Sequence, residues 1–380
     1  SLPMTDAQFL IDQDRRHDLD HYCAHLGNIV FHAKLGSLAD KVKRVVFLAK
    51  YLSVWVPQAS LIHVEGAAQL CKADLSTAMV KEFPELQGVM GAYYAECLGE
   101  HSSVCGAISD HYMPVGANHD CPQSPVSIAI AIADKVDSMT GLIAIGEQPT
   151  SSGDPFAIRR MAIGIIRIII SNSLEIPLNL LLEKSASLFS KSIYSNARYS
   201  KKELPNIVFS FCVDRFRVML QDSGYKPYEI SAILGENLAD DHFYRLYKKL
   251  EVFANYLSSE DGRLIINVYK RINNIITKSE KDGDVYTKKY KNSLLKDPAE
   301  IELALLAKKL YRPIKMSVKH KDHASSLAAL HEIAVLVEKF MNEVKIQSSE
   351  NKNHRDNRMM LITFVRSIFN SVIEFDKLFS

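Results

Sequence analysis

The sequence lacks the cysteine and glycine patterns that mark several common functional classes. Its six cysteines form no CxxC pair and no metal-ligand spacing, which excludes a zinc-finger framework and favours a reduced compartment. The cysteines are Cys23, Cys71, Cys97, Cys105, Cys121 and Cys212. Neither a Walker GxxxxGK[ST] nor a Rossmann GxGxxG sequence occurs, so the standard phosphate-binding loops of nucleotide-binding domains are also missing.

Long hydrophobic runs are equally scarce. The longest, residues 162–170, is interrupted by Arg167 and is far too short to span a bilayer. With no signal peptide visible, we expect no membrane partner and a cytoplasmic location. The chain begins Ser-Leu-Pro rather than with methionine, from which we expect it to be a piece of a longer protein.

Charge of one sign is not in excess. The 46 Lys and Arg residues nearly balance the 44 Asp and Glu residues, for a net charge of +2. Any nucleic-acid-binding surface must therefore be local. A chain of 380 residues with 47% hydrophobic and 24% charged residues is long enough for two or three ordinary globular domains.

Apolar residues recur mostly at helical spacing, and few stretches alternate with period two, so we predict an all-α protein with scarce strands. Helices are predicted over residues 38–52, 64–81, 128–139, 207–220 and 229–234, one or two more over 247–277, and others from starts near Pro298, His323 and Arg355. Serines cluster in residues 183–206, which predicts a linker. The predicted domains are therefore residues 1–182, a connector at 207–284 and a final bundle at 287–380.

Residues 131–160 form the densest loop chemistry in the chain. A predicted helix is followed by helix-breaking residues, Gly141, Gly146, Pro149, Gly153 and Pro155. Asp154-Pro155 predicts a new helix with Asp154 as its N-cap. For Arg159 and Arg160 we favour ion pairs with Asp134, Asp137 or Asp154.

An all-helical metal phosphohydrolase of the HD type is the main enzymatic alternative. That chemistry needs a His, an adjacent His-Asp pair and a distant Asp, and Asp134 resembles the distant Asp. Where the His-Asp pair should stand, the sequence has Cys71-Lys72-Ala73-Asp74. A charged lysine is no metal ligand and repels a divalent cation. Four further histidines have no ligand spacing, so we expect no metal site; they are His63, His101, His111 and His119.

A basic stretch lies in the final bundle. Between Lys288 and His323 there are ten Lys or Arg residues against four Asp or Glu residues, with three tyrosines in or beside the stretch, Tyr286, Tyr290 and Tyr311. Cations bind phosphate and aromatic rings stack on unpaired bases, so RNA is a candidate partner. Composition alone slightly favours an ordinary solvated surface.

The segment ADKVDSMTGLIAIGEQPTSSGDPFAIRR, at residues 133–160, resembles a signature of the β subunit of bacterial tetrameric glycyl-tRNA synthetase. FHAKLGSLADKVKR at 31–44 and GEHSSVCGAISDHYMP at 99–114 agree with it, as do residues 71–95, 213–225 and 357–379. These segments are colinear and cover nearly the whole chain. The resemblance also implies that the N-terminal half of that subunit precedes this chain.

The resemblance implies an HD-like helical domain without the hydrolase motif, a helical connector, and a C-terminal anticodon-binding bundle like that of arginyl-tRNA synthetase. It implies tRNA(Gly) and the synthetase α subunit as partners in an α2β2 ligase, and neither DNA nor membrane. ATP and Mg belong to the α subunit of this class II enzyme, so we expect no cofactor and no catalytic residue in this chain. The alternatives are an HD-type phosphohydrolase acting on nucleotides and a scaffold that binds only protein.

Site residues follow from the same resemblance. The expected tRNA-binding residues are Lys308, Arg312, Arg355, Asn357 and Arg358, with a second cluster of Lys270, Arg271 and Asn274. The last three residues of the first group are expected to open the final helix. The structural signature loop comprises Asp134, Asp137, Pro149, Thr150, Asp154, Pro155, Arg159 and Arg160. The alternative role for its two arginines is contact with the acceptor side of tRNA.

Overall fold

The computed structural model describes residues 4–116, 119–150, 153–195, 197–235, 238, 240–286, 289–346 and 351–379. Eighteen α-helices lie in these ranges, and the all-α prediction is confirmed. The chain divides into two compact units, Ser1–Met219 with Asp240–Tyr244, and Leu220–Ala239 with Arg245–Ser380. Among the described residues, no helix is both long enough and apolar enough to cross a membrane.

The first unit contains eleven complete helices: α1 (Met4–Asp14), α2 (Leu19–His25), α3 (Leu38–Leu52), α4 (Leu61–Leu70), α5 (Ala78–Glu82), α6 (Val89–Cys97), α7 (Ser102–Asp110), α8 (Pro125–Ala144), α9 (Ile158–Ser171), α10 (Leu178–Leu188) and α11 (Lys191–Ser195). A small antiparallel hairpin, β1 (Val30–His32) with β2 (Gly36–Ser37), precedes α3. Its tight turn uses Gly36 at φ +92°, a backbone conformation that favours glycine.

Helix α8 is the centre of the first unit. Every residue from Val126 to Ala144 is buried, and α3, α4, α7, α9 and α10 pack around it. A helix that is apolar on all sides has to be enclosed by protein. The few charged residues on α8 must therefore find partners inside the core.

The prediction that Gly141 breaks the chain is wrong. Helix α8 continues through it to Ala144. A Cβ at Gly141 would meet Phe189 Cζ at 2.9 Å and Leu35 Cδ1 at 3.0 Å. The glycine therefore admits close neighbours instead of ending the helix.

The single helix predicted over residues 64–81 is also wrong. Helix α4 ends at Leu70, a 3-10 turn follows at Ala73–Ser76, and α5 begins at Ala78. The Thr77 hydroxyl donates to the Asp74 carbonyl at 2.6 Å and accepts from the Val80 N–H at 3.3 Å. This local side-chain bonding competes with a continuous helix.

The serine-rich stretch predicted as a linker holds the end of α10 and all of α11. The Tyr194 hydroxyl of α11 donates to the Ala186 carbonyl of α10 at 2.6 Å. Residues 183–195 and 197–206 therefore belong to the first unit. The three-domain division stays a prediction.

The second unit contains α13 (Pro227–Leu234), α15 (Glu260–Lys281), α16 (Pro298–Lys319), α17 (His323–Glu343) and α18 (Lys352–Asn370). Helices α12 (Leu204–Asp222) and α14 (Phe243–Ser258) have residues in both units. Tyr269, fully buried on α15, packs on Phe369 and Phe375, and its hydroxyl donates to Asp376 at 2.6 Å. This aromatic cluster fixes the last turn, Phe375–Phe379, against the bundle.

Candidate functional site

Four charged side chains meet between α3 and α8. Lys41 and Arg44 lie three residues apart on α3, and Asp134 and Asp137 lie three apart on α8, so each pair shares a helix face. Lys41 Nζ lies 3.0 Å from Asp134 Oδ1 and 3.3 Å from Asp137 Oδ2. Arg44 Nε lies 2.7 Å from Asp137 Oδ1. Helical spacing thus builds a buried double ion pair that joins the two helices.

Lys72 and His111 complete this buried cluster. Lys72 Nζ lies 2.8 Å from His111 Nε2 and 3.3 Å from Asp134 Oδ2. His111 Nδ1 lies 2.7 Å from the Ile108 carbonyl oxygen. Since that oxygen only accepts, Nδ1 carries the proton and Nε2 accepts from the lysine. The imidazole is therefore held in its neutral form.

The environment sets the charges of these groups. Burial alone raises the pKa of Asp134, but Lys41 and Lys72 outweigh it and hold that pKa well below its usual range. Burial lowers the pKa of Lys72, but the Asp134 carboxylate outweighs it and holds the pKa above the ordinary value. Burial and then Lys72 lower the pKa of His111 well below 6.5. The cluster is an ion-pair network around a neutral imidazole.

This geometry bears on the phosphohydrolase alternative. His111 Nε2 and Asp134 Oδ2 are the atoms that a metal would need, and the Lys72 ammonium lies within 3.3 Å of both. An ammonium in that position repels a divalent cation and uses the imidazole lone pair. Asp134 therefore acts as an internal counter-ion, which does not support metal-dependent hydrolysis.

One other group of potential ligands lies in the first unit. Within the described residues, Asp240, Asp241 and His242 offer ligand atoms within 4.8 Å of one another. His242 Nδ1 lies 2.9 Å from Asp240 Oδ1 and 3.0 Å from Asp241 Oδ1. The Asp241 carboxylate also accepts from the Asn179 N–H at 2.9 Å. Internal hydrogen bonds account for this group.

The signature loop departs in part from its prediction. Helix α9 begins at Ile158, not at Pro155, and its N-cap residue Ala157 has φ +58°. Asp154 still caps the helix from outside, because its carboxylate accepts from the Ile158 N–H at 2.8 Å and the Arg159 N–H at 3.0 Å. The flanking residues Pro149, Thr150 and Pro155 lie in the loop, partly or largely exposed.

The ion pairs predicted for the two loop arginines are wrong among the described residues. The Arg159 guanidinium donates to the Thr150 carbonyl oxygen, and Arg160 is exposed at a cavity mouth. Asp134 and Asp137 are already paired with cations of α3 and with Lys72. The true partners of the two aspartates are not evident from the sequence, because they lie far away in the chain.

The expected tRNA-binding residues of α16 lie on its surface. Lys308 and Arg312 are exposed, four residues apart on one face, and Lys315 and Lys319 extend that face at the next helical spacings. We call these four side chains the α16 stripe. None of them forms an ion pair within the described part of the chain. The stripe covers about 16 Å of helix.

The residues expected at the start of the last helix are arranged differently. Helix α18 begins at Lys352, three residues before Arg355, with Asn351 as its N-cap. Arg355 is half-buried beside Asp356. The prediction that Arg355, Asn357 and Arg358 open the helix is therefore wrong. They follow its first turn.

Asn357 and Arg358 are engaged inside the bundle. The buried Asn357 side chain accepts from the Lys291 N–H at 2.7 Å and donates to the Lys291 carbonyl at 3.1 Å. Arg358 contacts Glu300 and lies 2.6 Å from Asp297 Oδ2. Both side chains thus fix the chain that enters α16, and protein groups already engage their polar ends.

The second basic cluster is more open. Lys270, Arg271 and Asn274 are exposed on α15. Lys270 and Asn274 line a cavity of about 580 Å³ with the partly exposed rings of Tyr228 and Phe379. The sequence does not place these two rings beside Lys270, because they belong to α13 and the last turn. Two of the three tyrosines near the basic stretch of α16, Tyr290 and Tyr311, instead pack on Phe364.

Comparison with known proteins supports one assignment throughout. Residues 3–235 match the family model for the glycyl-tRNA synthetase beta subunit, and residues 265–375 match the DALR anticodon binding domain. A glycine–tRNA ligase beta subunit from Ruegeria sp. (strain TM1040) is 35% identical, covering 100% of this chain and 53% of the relative. Homologous subunits from Rickettsia bellii (strain OSU 85-389) and Methylobacillus flagellatus are 35% and 33% identical. Their alignments cover 100% and 99% of this chain, and 53% and 51% of the relative. The chain spans about half the length of the curated relatives it matches.

Proposed function

Because the chain belongs to the glycyl-tRNA synthetase beta subunit family, with a DALR anticodon-binding domain in its second unit, we propose that it is a tRNA-binding part of a glycine–tRNA ligase. It holds tRNA(Gly) so that the acceptor end reaches the active site of the α subunit, within an α2β2 assembly in the cytoplasm. Its contribution to the reaction is the tighter binding of the correct tRNA.

The α16 stripe is the observation that carries this proposal. Four exposed cations on one helix face, without ion pairs among the described residues, remain available for phosphate. A bound RNA backbone releases counter-ions from such a surface, which makes binding depend on salt. The stripe lies within residues 265–375, the range of the anticodon-binding family model.

The other residues predicted to contact RNA fall into an exposed group on α15 and a buried or partly buried group on α18. Lys270, Arg271 and Asn274 are placed to meet phosphate or base edges, and the Tyr228 and Phe379 rings offer surfaces on which a base can stack. We assign Asn357 and Arg358 a positioning role, since their polar groups hold residues 291 and 297–300.

We assign glycine activation, with its ATP and Mg²⁺, to the α subunit. Class II chemistry is mounted on an antiparallel sheet, whereas the described part of this chain has one two-stranded hairpin as its only sheet. The buried carboxylates of α8, Asp134 and Asp137, are taken up by ion pairs with Lys41, Arg44 and Lys72. This chain therefore contributes binding energy rather than a catalytic residue.

A salt-controlled titration of the chain with tRNA(Gly), beside the same tRNA with a changed anticodon, tests the proposal. We expect preference for the native anticodon. Replacing Lys308 and Arg312 together by alanine should weaken binding and lower the salt slope by about 1 per lost phosphate contact. The matched control is Lys43→Ala, an exposed cation of the first unit.

Three outcomes contradict the proposal. They are no binding to either tRNA, equal binding to both, and a double variant that binds as the unmodified chain does. Arg312→Lys adds a further discrimination, because it keeps the charge but loses the planar fork of donors. Full retention of affinity in Arg312→Lys indicates a charge contact, and a loss indicates bidentate contact with phosphate or a base.

A further inference from the structure

We propose that a cavity in the first unit, between the buried charge cluster and the start of α9, binds the phosphate group of a nucleotide. The cavity has a volume of about 520 Å³, within the range of roughly 300–1,000 Å³ for small-ligand sites. It is lined by residues of α8 and α9, by the segment after α7, and by Glu85 and Gln87. This inference does not depend on the proposed tRNA binding.

The charge around the cavity favours an anion. The cations that line it are Lys135 and Arg160, and the carboxylates are Asp134 and Glu85. Asp134 is already paired with Lys41 and Lys72. Lys135 and Arg160 form no ion pair with a described residue, so the unpaired cations of the lining outnumber its unpaired carboxylate, Glu85. A bound anion compensates this positive charge.

Hydrogen-bond donors with spare capacity line the same cavity. The Tyr112 hydroxyl is buried without a hydrogen-bond partner in the described structure. Burial raises its pKa to about 12, so it remains a donor. Lys135 Nζ donates to the His111 carbonyl at 3.0 Å and the Met113 carbonyl at 2.7 Å, which leaves one of its three N–H groups for a ligand.

Arg160 supplies a cation at the mouth. Its side chain is exposed, lines the cavity, and forms no ion pair with any described residue. A guanidinium can bind two phosphate oxygens at once. Glu85 is an exposed carboxylate that also lines the cavity, and it repels an anion that approaches it.

The rest of the wall suits an organic group attached to the phosphate. Pro114, Val115, Ala157 and Met161 provide an apolar surface. A ribose or base can pack there while the phosphate meets Tyr112, Lys135 and Arg160. The shared chemistry is a phosphate on a nucleoside, which either a free mononucleotide or the terminal nucleotide of an RNA provides.

Calorimetric titration of the 380-residue chain with inorganic phosphate, adenosine 5′-monophosphate and adenosine tests the inference. We expect both phosphate compounds to bind, with adenosine at least tenfold weaker than its monophosphate. Arg160→Ala and Tyr112→Phe should each weaken the monophosphate by about tenfold, as expected for one lost charge-assisted hydrogen bond. Tyr112→Phe keeps the ring that lies 4.1 Å from Lys72 Nζ.

Arg16→Ala is the matched control, since Arg16 is an exposed arginine of the same unit outside the cavity. A competing trinucleotide with a 5′-phosphate distinguishes the two sources. Displacement of the mononucleotide by equal concentrations of the trinucleotide indicates an RNA end, and no displacement indicates a free nucleotide. Lack of phosphate binding, or affinities unchanged in both cavity variants, overturns the inference.

Discussion

Lys72 Nζ lies 2.8 Å from Nε2 of His111, and this buried contact fixes the imidazole as a neutral acceptor. The same ammonium lies 3.3 Å from Asp134, so one side chain contacts both the imidazole and the carboxylate. A buried polar network is strong only while every member is present.

Lys72→Met should therefore lower the free energy of unfolding by about 1–3 kcal/mol, because Asp134 keeps only Lys41 and His111 Nε2 loses its donor. Urea unfolding followed by circular dichroism measures the change. Lys43→Met, an exposed neighbour of the cluster on α3, should leave stability unchanged. Equal stability of Lys72→Met and the unmodified chain would show that the contact contributes nothing.

Lys135 predicts a pH dependence of stability. Burial lowers its pKa from 10.5 to about 8, so between these values the unfolded chain binds more protons than the folded chain. Stability then rises with pH across this window, by about 3 kcal/mol in total. Unfolding free energies of the unmodified chain and Lys135→Met, measured in parallel, isolate this contribution.

The buried tyrosines act in the opposite direction in that measurement. Burial raises the pKa of Tyr22 and of Tyr194 to about 12. The unfolding free energy of the chain therefore falls as pH rises above 10. The unmodified chain and Lys135→Met share this loss, so it cancels when one unfolding free energy is subtracted from the other. A difference that does not grow from pH 8 to 10.5 would contradict the burial effect on Lys135.

Gly141→Ala should destabilise the first unit by about 1–3 kcal/mol, although alanine favours helices, because the new Cβ meets Phe189 and Leu35 at 2.9 and 3.0 Å. Gly106→Ala is the matched control, since it lies within α7 and its Cβ would meet nothing within 4 Å. The unfolding free energy of the Gly106→Ala control should rise by about 0.5–1 kcal/mol, because alanine favours helices more than glycine does. Thermal unfolding of both variants checks the opposite signs.

Comparing Arg358→Ala with Arg312→Ala should show which arginine of the bundle supports the fold and which contacts RNA. It leaves the buried Glu300 carboxylate without its arginine, so we expect a loss of about 3 kcal/mol in unfolding free energy. Arg312→Ala removes an exposed side chain and should leave stability unchanged while weakening tRNA binding. Measuring unfolding and tRNA affinity on both proteins tests the distinction. Identical behaviour of the two variants would refute it.

Much of the helical framework is predictable from sequence because the relevant forces are local. Apolar spacing predicts α3 at residues 38–52 as observed, and Pro298 and His323 mark the starts of α16 and α17. The boundaries that failed have specific causes. Thr77 interrupts the helix predicted over residues 64–81, and Ala157 takes the N-cap position expected for Asp154.

The site is less predictable because its contacts join distant residues. Lys41 and Asp137 are separated by 96 positions, and Asn357 and Lys291 by 66. Residue type alone predicts that a buried aspartate needs a cation, but several cations in the sequence qualify. The sequence predicts Arg159 and Arg160 as the partners of these aspartates. In the folded chain, Lys41, Arg44 and Lys72 pair with them instead.

The position of Lys72 also decides where the positive charge beside Asp134 comes from. A cation carried on the polypeptide arrives with translation and cannot be removed by a chelator or diluted away. Charge balance at Asp134 therefore does not depend on the cell's supply of trace elements. The hydrogen bond to His111 gives the same independence to the imidazole.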